Sequence, residues 1–360
     1  MWHFEIFGSG YAYDVPKAVW AAVRIPDDHV GVSANIPRIS TLDLKNKDYY
    51  MASDNVISLA EELGYYDKSS KKPFRFWEAY GGRDKAFSMR EFFILSTMAP
   101  SLNLSQDVDE LPFSVKPDKK VGVRDVMAYY RQTYEGTEFD ATKNLLVEPM
   151  RRRGEAAPEA GTKVVSPVAN PFMGYDMRNM LNALQPGSVE SNRTIAIAGC
   201  SYSNIIQCRD WLPDEIGGVA WFSFDNPGAS PRIPIFAGTL ELPASFEICA
   251  QKRYRTDAAA WRLESQRKLA EVRWGYTRGY IETAVKEFED KAFNELPAIE
   301  KVAVEMYNKN SKTVMDEKGN PVAPEYQEFI TRYTNDFARA AMSRWWELGD
   351  TFWAMFARGF

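Results

Sequence analysis

The segment from Lys17 to Asp43 constrains the fold more than any other part of the sequence. Two apolar, β-branched runs, Ala18–Ile25 and Val30–Ala34, flank a Pro-Asp-Asp turn signal. Apolar runs of this length on both sides of a turn predict a tight antiparallel hairpin. Asn35 follows the second run and Arg38 comes three residues later. The hairpin would therefore present an amide and a guanidinium where ladder pairing stops.

Other segments also carry strand patterns. Trp2–Phe7 alternates apolar with polar residues, which predicts a strand that opens an antiparallel meander. The Gly8-Ser9-Gly10 stretch predicts a turn, because Tyr13 stands where a dinucleotide-binding loop needs its third glycine. Short apolar runs separated by turn residues predict three later strands, Arg193–Gly199, Gly217–Phe224 and Ile233–Leu242.

Helical spacing dominates the C-terminal third of the sequence. Three segments have apolar residues at three and four spacings, Ala258–Arg273, Tyr276–Asn294 and Tyr326–Phe356, and shorter helices are expected at Asn55–Gly64, Ser88–Thr97 and Val123–Tyr134. Strands followed by helices predict an α+β fold. We expect one domain, with residues 1–255 as its main part and residues 256–360 as a helical segment packed on it.

Composition excludes several classes of function. The net charge of -5 and the pI near 5.4 provide no basic field for a nucleic-acid backbone. The one basic cluster, Arg151–Arg153, lies among glycine and proline and predicts a solvated loop. No apolar run approaches the roughly 20 residues that span a bilayer, and no signal pattern opens the chain. We expect a soluble, cytoplasmic protein without nucleic-acid or membrane partners.

The sequence contains three cysteines, Cys200, Cys208 and Cys249. An odd number in a long chain argues against a disulfide framework and favours a reducing compartment. Each is expected to be a small buried hydrophobe. With only His3 and His29 as histidines, no zinc spacing is present, and no metal or organic cofactor is predicted.

Two short motifs suggest chemistry that their context does not support. Gly199–Ser203 resembles a nucleophile elbow, but Ser203 replaces the final glycine and no histidine follows to act as a base. Asp316–Asn320 is acidic but lacks the alternating ligands and closing Glu of a calcium loop. We interpret it as a hairpin or surface turn.

Three stretches carry a family resemblance when taken together, namely Val23–Asp28, Ala34–Ile39 and Arg209–Phe222. They are similar to the cysteine dipeptidases of the PepD type, which belong to the N-terminal-nucleophile hydrolases and are related to penicillin V acylase, bile salt hydrolase and the secernins. The resemblance runs in order from the first residues to about residue 305. It implies a four-layer αββα sandwich, in which helices cover two stacked antiparallel sheets.

The resemblance also implies a nucleophile that this sequence does not contain at the matching place. Family members carry their N-terminal cysteine upstream of the segment that opens this chain, whereas Met1 stands here and no cysteine precedes Cys200. The chain is therefore expected to be the later part of such an enzyme, with the fold incomplete. Such a part could be inactive alone.

The family position of Asn35 implies the oxyanion donor of peptide-bond hydrolysis. The alternative for Asn35 is a strand-end cap or Asx turn leading into Ile36-Pro37. Arg38 could orient the nucleophile or pair bidentately with a substrate carboxylate. The alternative for Arg38 is a plain surface arginine.

Arg209 and Asp210 are candidates for substrate binding, since they lie at the edge of the Trp211-Leu212-Pro213 motif. The alternative is a buried pair between the two that holds a loop. The implied activity is hydrolysis of unblocked dipeptides, without cofactor and in a possible homo-oligomer. The other reading is a catalytically silent, secernin-like or scaffold protein that binds a peptide or a protein partner.

Overall fold

The computed structural model describes residues 1–8, 17–149, 154, 156, 158–249 and 251–357. The chain divides into two compact units, Met1–Gly122 (unit 1) and Val123–Phe360 (unit 2). The boundary expected after residue 255 falls within unit 2 and stays a prediction. The Gly8–Gly10 turn lies only partly within the described residues, and the basic triplet Arg151–Arg153 lies outside them.

The described residues of unit 1 form one small antiparallel sheet, a two-stranded ladder and three α-helices. Its elements are β1 (Trp2–Gly8), β2 (Ala18–Arg24), β3 (Val30–Gly31), β4 (Tyr50–Ala52), α1 (Ser58–Glu62), α2 (Phe76–Tyr80), α3 (Met89–Met98) and β5 (Ser114–Val115). The sheet has the order β1-β2-β4 with antiparallel pairs throughout. This confirms the opening strand and the helices expected near residues 58 and 89.

The hairpin predicted between the two apolar runs is wrong. Strand β2 pairs with β1 on one edge and β4 on the other, so no edge remains for β3. Strand β3 instead pairs with β5, where Val30 lies opposite Val115. A tight turn does form, because the His29 N–H donates to the Pro26 carbonyl at 3.0 Å, but the chain leaves it toward a distant partner.

The two faces of the unit 1 sheet differ. Val19, Ala21 and Val23 on β2 pack against buried residues of α1 and α2, such as Leu59 and Phe76. The other face of β1 presents exposed apolar side chains, namely Trp2, Phe4 and Ile6. One face of the sheet is therefore covered by helices, and the opposite face is apolar and open.

Unit 2 has a second small sheet and the long helices. Its elements are α4 (Val123–Tyr130), β6 (Leu146–Val147), β7 (Val164–Val165), α5 (Tyr175–Leu184), β8 (Tyr202–Gln207), α6 (Asp214–Gly217), β9 (Val219–Phe224), β10 (Ile233–Phe236), α7 (Ala244–Glu247), α8 (Ala259–Glu271), α9 (Trp274–Lys309), β11 (Val314–Met315), β12 (Pro321–Val322) and α10 (Glu325–Phe356). The antiparallel sheet has the order β10-β9-β8.

Most but not all of the predicted unit 2 elements are present. The strands expected at Gly217–Phe224 and Ile233–Leu242 are confirmed as β9 and a shorter β10, and the Asp316–Asn320 turn joins the β11–β12 hairpin. The strand predicted at Arg193–Gly199 is wrong, because that segment is a succession of bends and turns. The strand begins only at Tyr202, where pairing with Phe224 of β9 is available.

The long helices cover one face of the unit 2 sheet. Helix α10 packs on α8, α9 and β10, and α8 packs on β9. Trp221 of β9 is fully buried and stacks on Phe293 of α9 with ring centroids 4.8 Å apart. The opposite face of β8 exposes Tyr202 and Ile206. Strands and helices together confirm the α+β class. Among the described residues, no helix combines the length and apolarity needed to cross a membrane.

Candidate active site

Asn35 lies in a turn that follows the short strand β3. Its φ of 61° is in the left-handed region, which asparagine tolerates better than most residues. The turn is closed by the Ser33 hydroxyl, which donates to the Ile36 carbonyl at 3.1 Å, and Pro37 then fixes the exit. The Asn35 side chain is exposed. The predicted strand Val30–Ala34 is shorter than expected and ends at Gly31, so Asn35 lies four residues beyond the strand end, with its side chain exposed.

The Asn35 amide is held at one end only. Arg90 of α3 donates from Nη1 to Asn35 Oδ1 at 3.1 Å and from Nη2 to the Ala34 carbonyl. The Asn35 side-chain nitrogen donates to no described residue. The amide thus has a fixed acceptor end and an uncommitted donor end. This arrangement suits donation to a developing negative charge, and the catalytic role of Asn35 stays a prediction.

Two carboxylates hold the backbone around this turn. Glu91, which is fully buried, accepts from the Ala34 N–H at 2.5 Å. Glu5 of β1 accepts from the Arg38 N–H at 2.5 Å and the Ile39 N–H at 3.2 Å. Charge-assisted bonds of this kind are about twice as strong as neutral ones. The segment that carries Asn35 is therefore fixed at three main-chain N–H groups, those of Ala34, Arg38 and Ile39.

Arg38 is not a surface residue, so that alternative is wrong. It is 2% exposed, and its guanidinium donates to three backbone carbonyls, those of Ala86 at 2.6 Å, Leu111 at 3.3 Å and Pro112 at 2.6 Å. Burial lowers the pKa of Arg38, while the negative charges of Glu91, Glu5 and Glu110 act in the opposite direction. Arg38 supports the segment from within the unit, and any part in catalysis stays a prediction.

Arg209 holds its own loop, but not through Asp210. Its guanidinium donates to Glu300 of α9 at 2.5 Å and to the carbonyls of Ile216 at 3.2 Å and Gly217 at 3.1 Å. The predicted Arg209–Asp210 pair is therefore wrong in its partner. Asp210 is exposed, and the neighbouring Trp211 is 74% exposed. Substrate binding by Arg209 and Asp210 stays a prediction.

Sequence reasoning missed a buried charge cluster in unit 2. Asp225 also has a φ of 61° and is 4% exposed. Arg267 of α8 donates to both of its carboxylate oxygens, at 2.7 and 3.0 Å, and also to Glu271. Burial raises the pKa of Glu271, and the charge of Asp225 adds to that shift. One cation therefore serves two acids, of which Asp225 is buried and Glu271 is half-buried. The Asp-Asn-Pro-Gly run after β9 signalled a turn but not its partners.

Arg232 is a second buried cation in unit 2 that the sequence did not single out. It is fully buried and donates from Nη1 to the Ser203 carbonyl at 2.8 Å. Its Nε and Nη2 have no hydrogen-bond partner among the described residues. Burial lowers the pKa of Arg232 to about 10. Among the described residues, no carboxylate pairs directly with this buried cation.

The three cysteines are reduced and differently placed. Cys208 and Cys249 are exposed, so the expectation of burial is wrong for both, and Cys200 is half-buried. Burial raises the pKa of the Cys200 thiol, and the charge of Asp225 acts in the same direction. Cys200 is thus a poor thiolate former. Within the described ranges, no three His, Cys, Asp or Glu side chains form a group that could hold a metal ion.

Comparison with known proteins places these residues in a family. The model of peptidase family C69 matches residues 1–287. The chain is 23% identical over 260 residues to a probable dipeptidase of Latilactobacillus sakei, covering 71% of this chain and 46% of the relative. It is 25% identical over 243 residues to a probable dipeptidase of Salmonella dublin, covering 66% and 45%. It is 21% identical over 324 residues to probable dipeptidase B of Streptococcus pyogenes serotype M1, covering 88% and 54%.

The chain spans about half the length of these curated relatives. The family match nevertheless extends over most of both units and includes Asn35, Arg38, Arg209 and Asp210. The chain belongs to peptidase family C69.

Proposed function

We propose that this chain forms the body of a cysteine-type dipeptidase, in which the Asn35 amide stabilises the oxyanion. One observation carries the proposal: Arg90 holds the acceptor end of the amide, whereas the exposed donor end binds no described residue. Membership of a peptidase family and the names of the relatives support the reaction class. A donor aimed at the oxyanion contributes about 2.7–4 kcal/mol to the transition state.

The nucleophile in this proposal is an N-terminal cysteine in a segment outside these 360 residues. Its thiolate adds to the scissile carbonyl carbon, and its own α-amine accepts the thiol proton and passes it to the leaving amine. Water then hydrolyses the thioester. An α-amine has a pKa of about 7.7–8.0, which suits proton transfer near neutral pH. The raised pKa of Cys200 disfavours this residue as an alternative nucleophile.

The remaining candidates receive different roles in the proposal. Arg38 spends its guanidinium on backbone carbonyls, so it supports the Asn35 turn and does not bind substrate through those donors. Arg209 is likewise occupied with Glu300 and its own loop. Asp210 is exposed beside Trp211. Its carboxylate is the better of the two candidates for contact with a substrate ammonium group.

The open sheet faces support the four-layer αββα sandwich as the fold of the complete enzyme. Each unit contains an antiparallel sheet with helices on one face and exposed apolar side chains on the other, for example Phe4 in unit 1 and Ile206 in unit 2. Large exposed apolar faces are uncommon unless they mark an interaction site. A two-sheet sandwich buries an apolar face of each of its sheets.

The test replaces Asn35 by aspartate and measures dipeptide hydrolysis by the chain joined to the segment that supplies the nucleophile. Aspartate tolerates the same positive φ and can accept from Arg90, but it has no N–H to donate. We expect kcat to fall by about 100-fold to 1000-fold. Asn103→Asp is the matched control, because Asn103 also has a positive φ, is exposed and lies in unit 1. An unchanged kcat in Asn35→Asp removes Asn35 from the reaction.

A second comparison tests where the nucleophile lies. The 360-residue chain alone should not hydrolyse an unblocked dipeptide, whereas the chain joined to its preceding segment should. A thiol alkylator should abolish that activity and a chelator should leave it intact. Full activity of the chain alone, or loss on chelation, would overturn the cysteine mechanism.

A further inference from the structure

Resting on the proposed dipeptidase, we propose that Arg90 is a positioning residue that sets the orientation of the Asn35 amide. Its two terminal nitrogens contact consecutive residues: Nη1 donates to Asn35 Oδ1 at 3.1 Å and Nη2 donates to the Ala34 carbonyl. The guanidinium therefore ties the side chain of Asn35 to the backbone of the residue before it.

This contact decides which way the amide points. The amide group of asparagine carries an acceptor oxygen and a donor nitrogen on the same carbon. Rotation of the amide about the Cβ–Cγ bond exchanges the positions of the two atoms. A cation can bind only the oxygen, so a bound Arg90 turns the N–H₂ group away from itself. The planar guanidinium fork has a fixed spacing of donors, which a lysine ammonium cannot reproduce. Rotation of the Asn35 amide would break the bond to Nη1.

Arg90 is itself held by the start of α3. Ser88 caps the helix and accepts from the Arg90 N–H at 3.3 Å, and Glu91 accepts from the Ser88 N–H at 2.8 Å. Glu91 also accepts from the Ala34 N–H. Adjacent residues of α3 therefore hold the Ala34 N–H, the Ala34 carbonyl and the Asn35 side chain. The first turn of α3 clamps the turn that carries the oxyanion donor.

The charge of Arg90 adds to the effect of its geometry. A cation bonded to the amide oxygen polarises the amide and makes its N–H groups stronger donors, since linked hydrogen bonds strengthen one another. Preorganised donors stabilise a transition state because they need not reorient as charge develops. Arg90 thus acts on the reaction through Asn35, without contacting the reacting atoms.

The experiment is a double-mutant cycle in the nucleophile-bearing enzyme, with dipeptide hydrolysis as the readout. Arg90→Gln removes the charge and the fork, and we expect kcat to fall by roughly 10-fold to 100-fold with little change in KM, as for a misplaced catalytic group. Arg90→Lys keeps the charge and should give an intermediate kcat. In an Asn35→Gly background, Arg90→Gln should lower kcat no further, because the group that it positions is gone.

Arg75→Gln is the matched control. Arg75 lies in unit 1 and pairs with Asp109 in a more exposed ion pair at 2.8 Å, so its loss should leave kcat unchanged. Circular dichroism and thermal unfolding check that each variant is folded. If Arg90→Gln does not fold, the kcat of Arg90→Lys decides the test.

The possible results separate the two proposals. If Asn35 variants keep full kcat, the proposed function fails. If Asn35 variants lose activity but Arg90→Gln and Arg90→Lys keep it, the positioning role fails alone. If Arg90→Gln lowers kcat by the same factor in the Asn35→Gly background as in the native background, Arg90 acts independently of Asn35 and the positioning role is overturned.

Discussion

Two turns in this protein share a backbone conformation and a type of partner but differ in burial and charge. Asn35 in unit 1 and Asp225 in unit 2 each have a φ of 61°, and each accepts from an arginine on a helix, Arg90 or Arg267. The Asn35 side chain is neutral, exposed and held by one bond. The Asp225 side chain is buried and held by two.

This difference indicates different roles for the two arginines, Arg267 in the stability of its turn and Arg90 in the orientation of a side chain. A buried ion pair contributes little net stability against an apolar substitute, but removing one partner leaves an uncompensated charge and costs several kcal/mol. The exposed bond from Arg90 to the neutral Asn35 amide leaves no buried charge behind when it is lost, so its loss costs less stability. The Asp225 turn therefore depends on its arginine for folding, whereas the Asn35 turn uses its arginine to choose between two amide orientations.

The largest expected effect is on the stability of unit 2. Arg267→Met leaves the buried Asp225 and the half-buried Glu271 without their shared cation, and we expect the unfolding free energy to fall by about 3–5 kcal/mol. Urea unfolding followed by circular dichroism measures it. Arg255→Met is the control, because Arg255 pairs with Asp257 in an exposed bridge of little consequence. A loss as small as that of the control would show that the Asp225 turn does not depend on its arginine.

Substitution of Asn35 should change the free energy of unfolding by less, and through the backbone conformation of this residue. Alanine is strained at positive φ and has no polar side chain that could form a local hydrogen bond there. We therefore expect Asn35→Ala to lower the free energy of unfolding by about 1–2 kcal/mol. Asn35→Gly should avoid that loss, because glycine adopts this conformation without strain. Both variants lose the amide, so activity should fall in each. The comparison requires thermal or urea unfolding of both variants, and equal stabilities would show that the left-handed conformation of Asn35 is not retained in solution.

The helical part of this fold could be predicted because its signals are local. The spacing of apolar residues located α8 and α10 to within a few residues. The segment predicted for α9 ended at Asn294, shortly before Pro297, a residue that is unfavourable in a helix interior. The helix instead runs on to Lys309, and burial of Leu296 and Ala303 against the core stabilises the continuation.

The strand pairings and site partners could not be read in the same way. Val30 pairs with Val115, and Arg209 pairs with Glu300, over separations of 85 and 91 residues. The residues near each partner in the sequence carry no signal for such distant contacts. Asn35 was singled out from its place after an apolar run and from the family resemblance of the segment around it. The Ser88-x-x-Glu91 pattern is a readable capping box, but nothing local shows that the same helix start holds Asn35.

The smallest expected effect is a pH dependence that belongs to the Asp225 cluster and has no counterpart at Asn35. Burial, with Asp225 nearby, raises the pKa of Glu271 above its value of about 4.3 in an unfolded chain. The folded state therefore binds more protons than the unfolded state between these two pKa values, and stability falls as pH rises through that interval. Glu271→Gln removes the titrating group and keeps an acceptor for Arg267. Relative to the native chain, this variant should gain stability as the pH rises from about 4 toward neutrality. Thermal unfolding of both proteins in a series of buffers measures the difference between their midpoints. A difference that does not change with pH would mean that Arg267 compensates both acids fully, and the contrast between the two turns would then be one of burial alone.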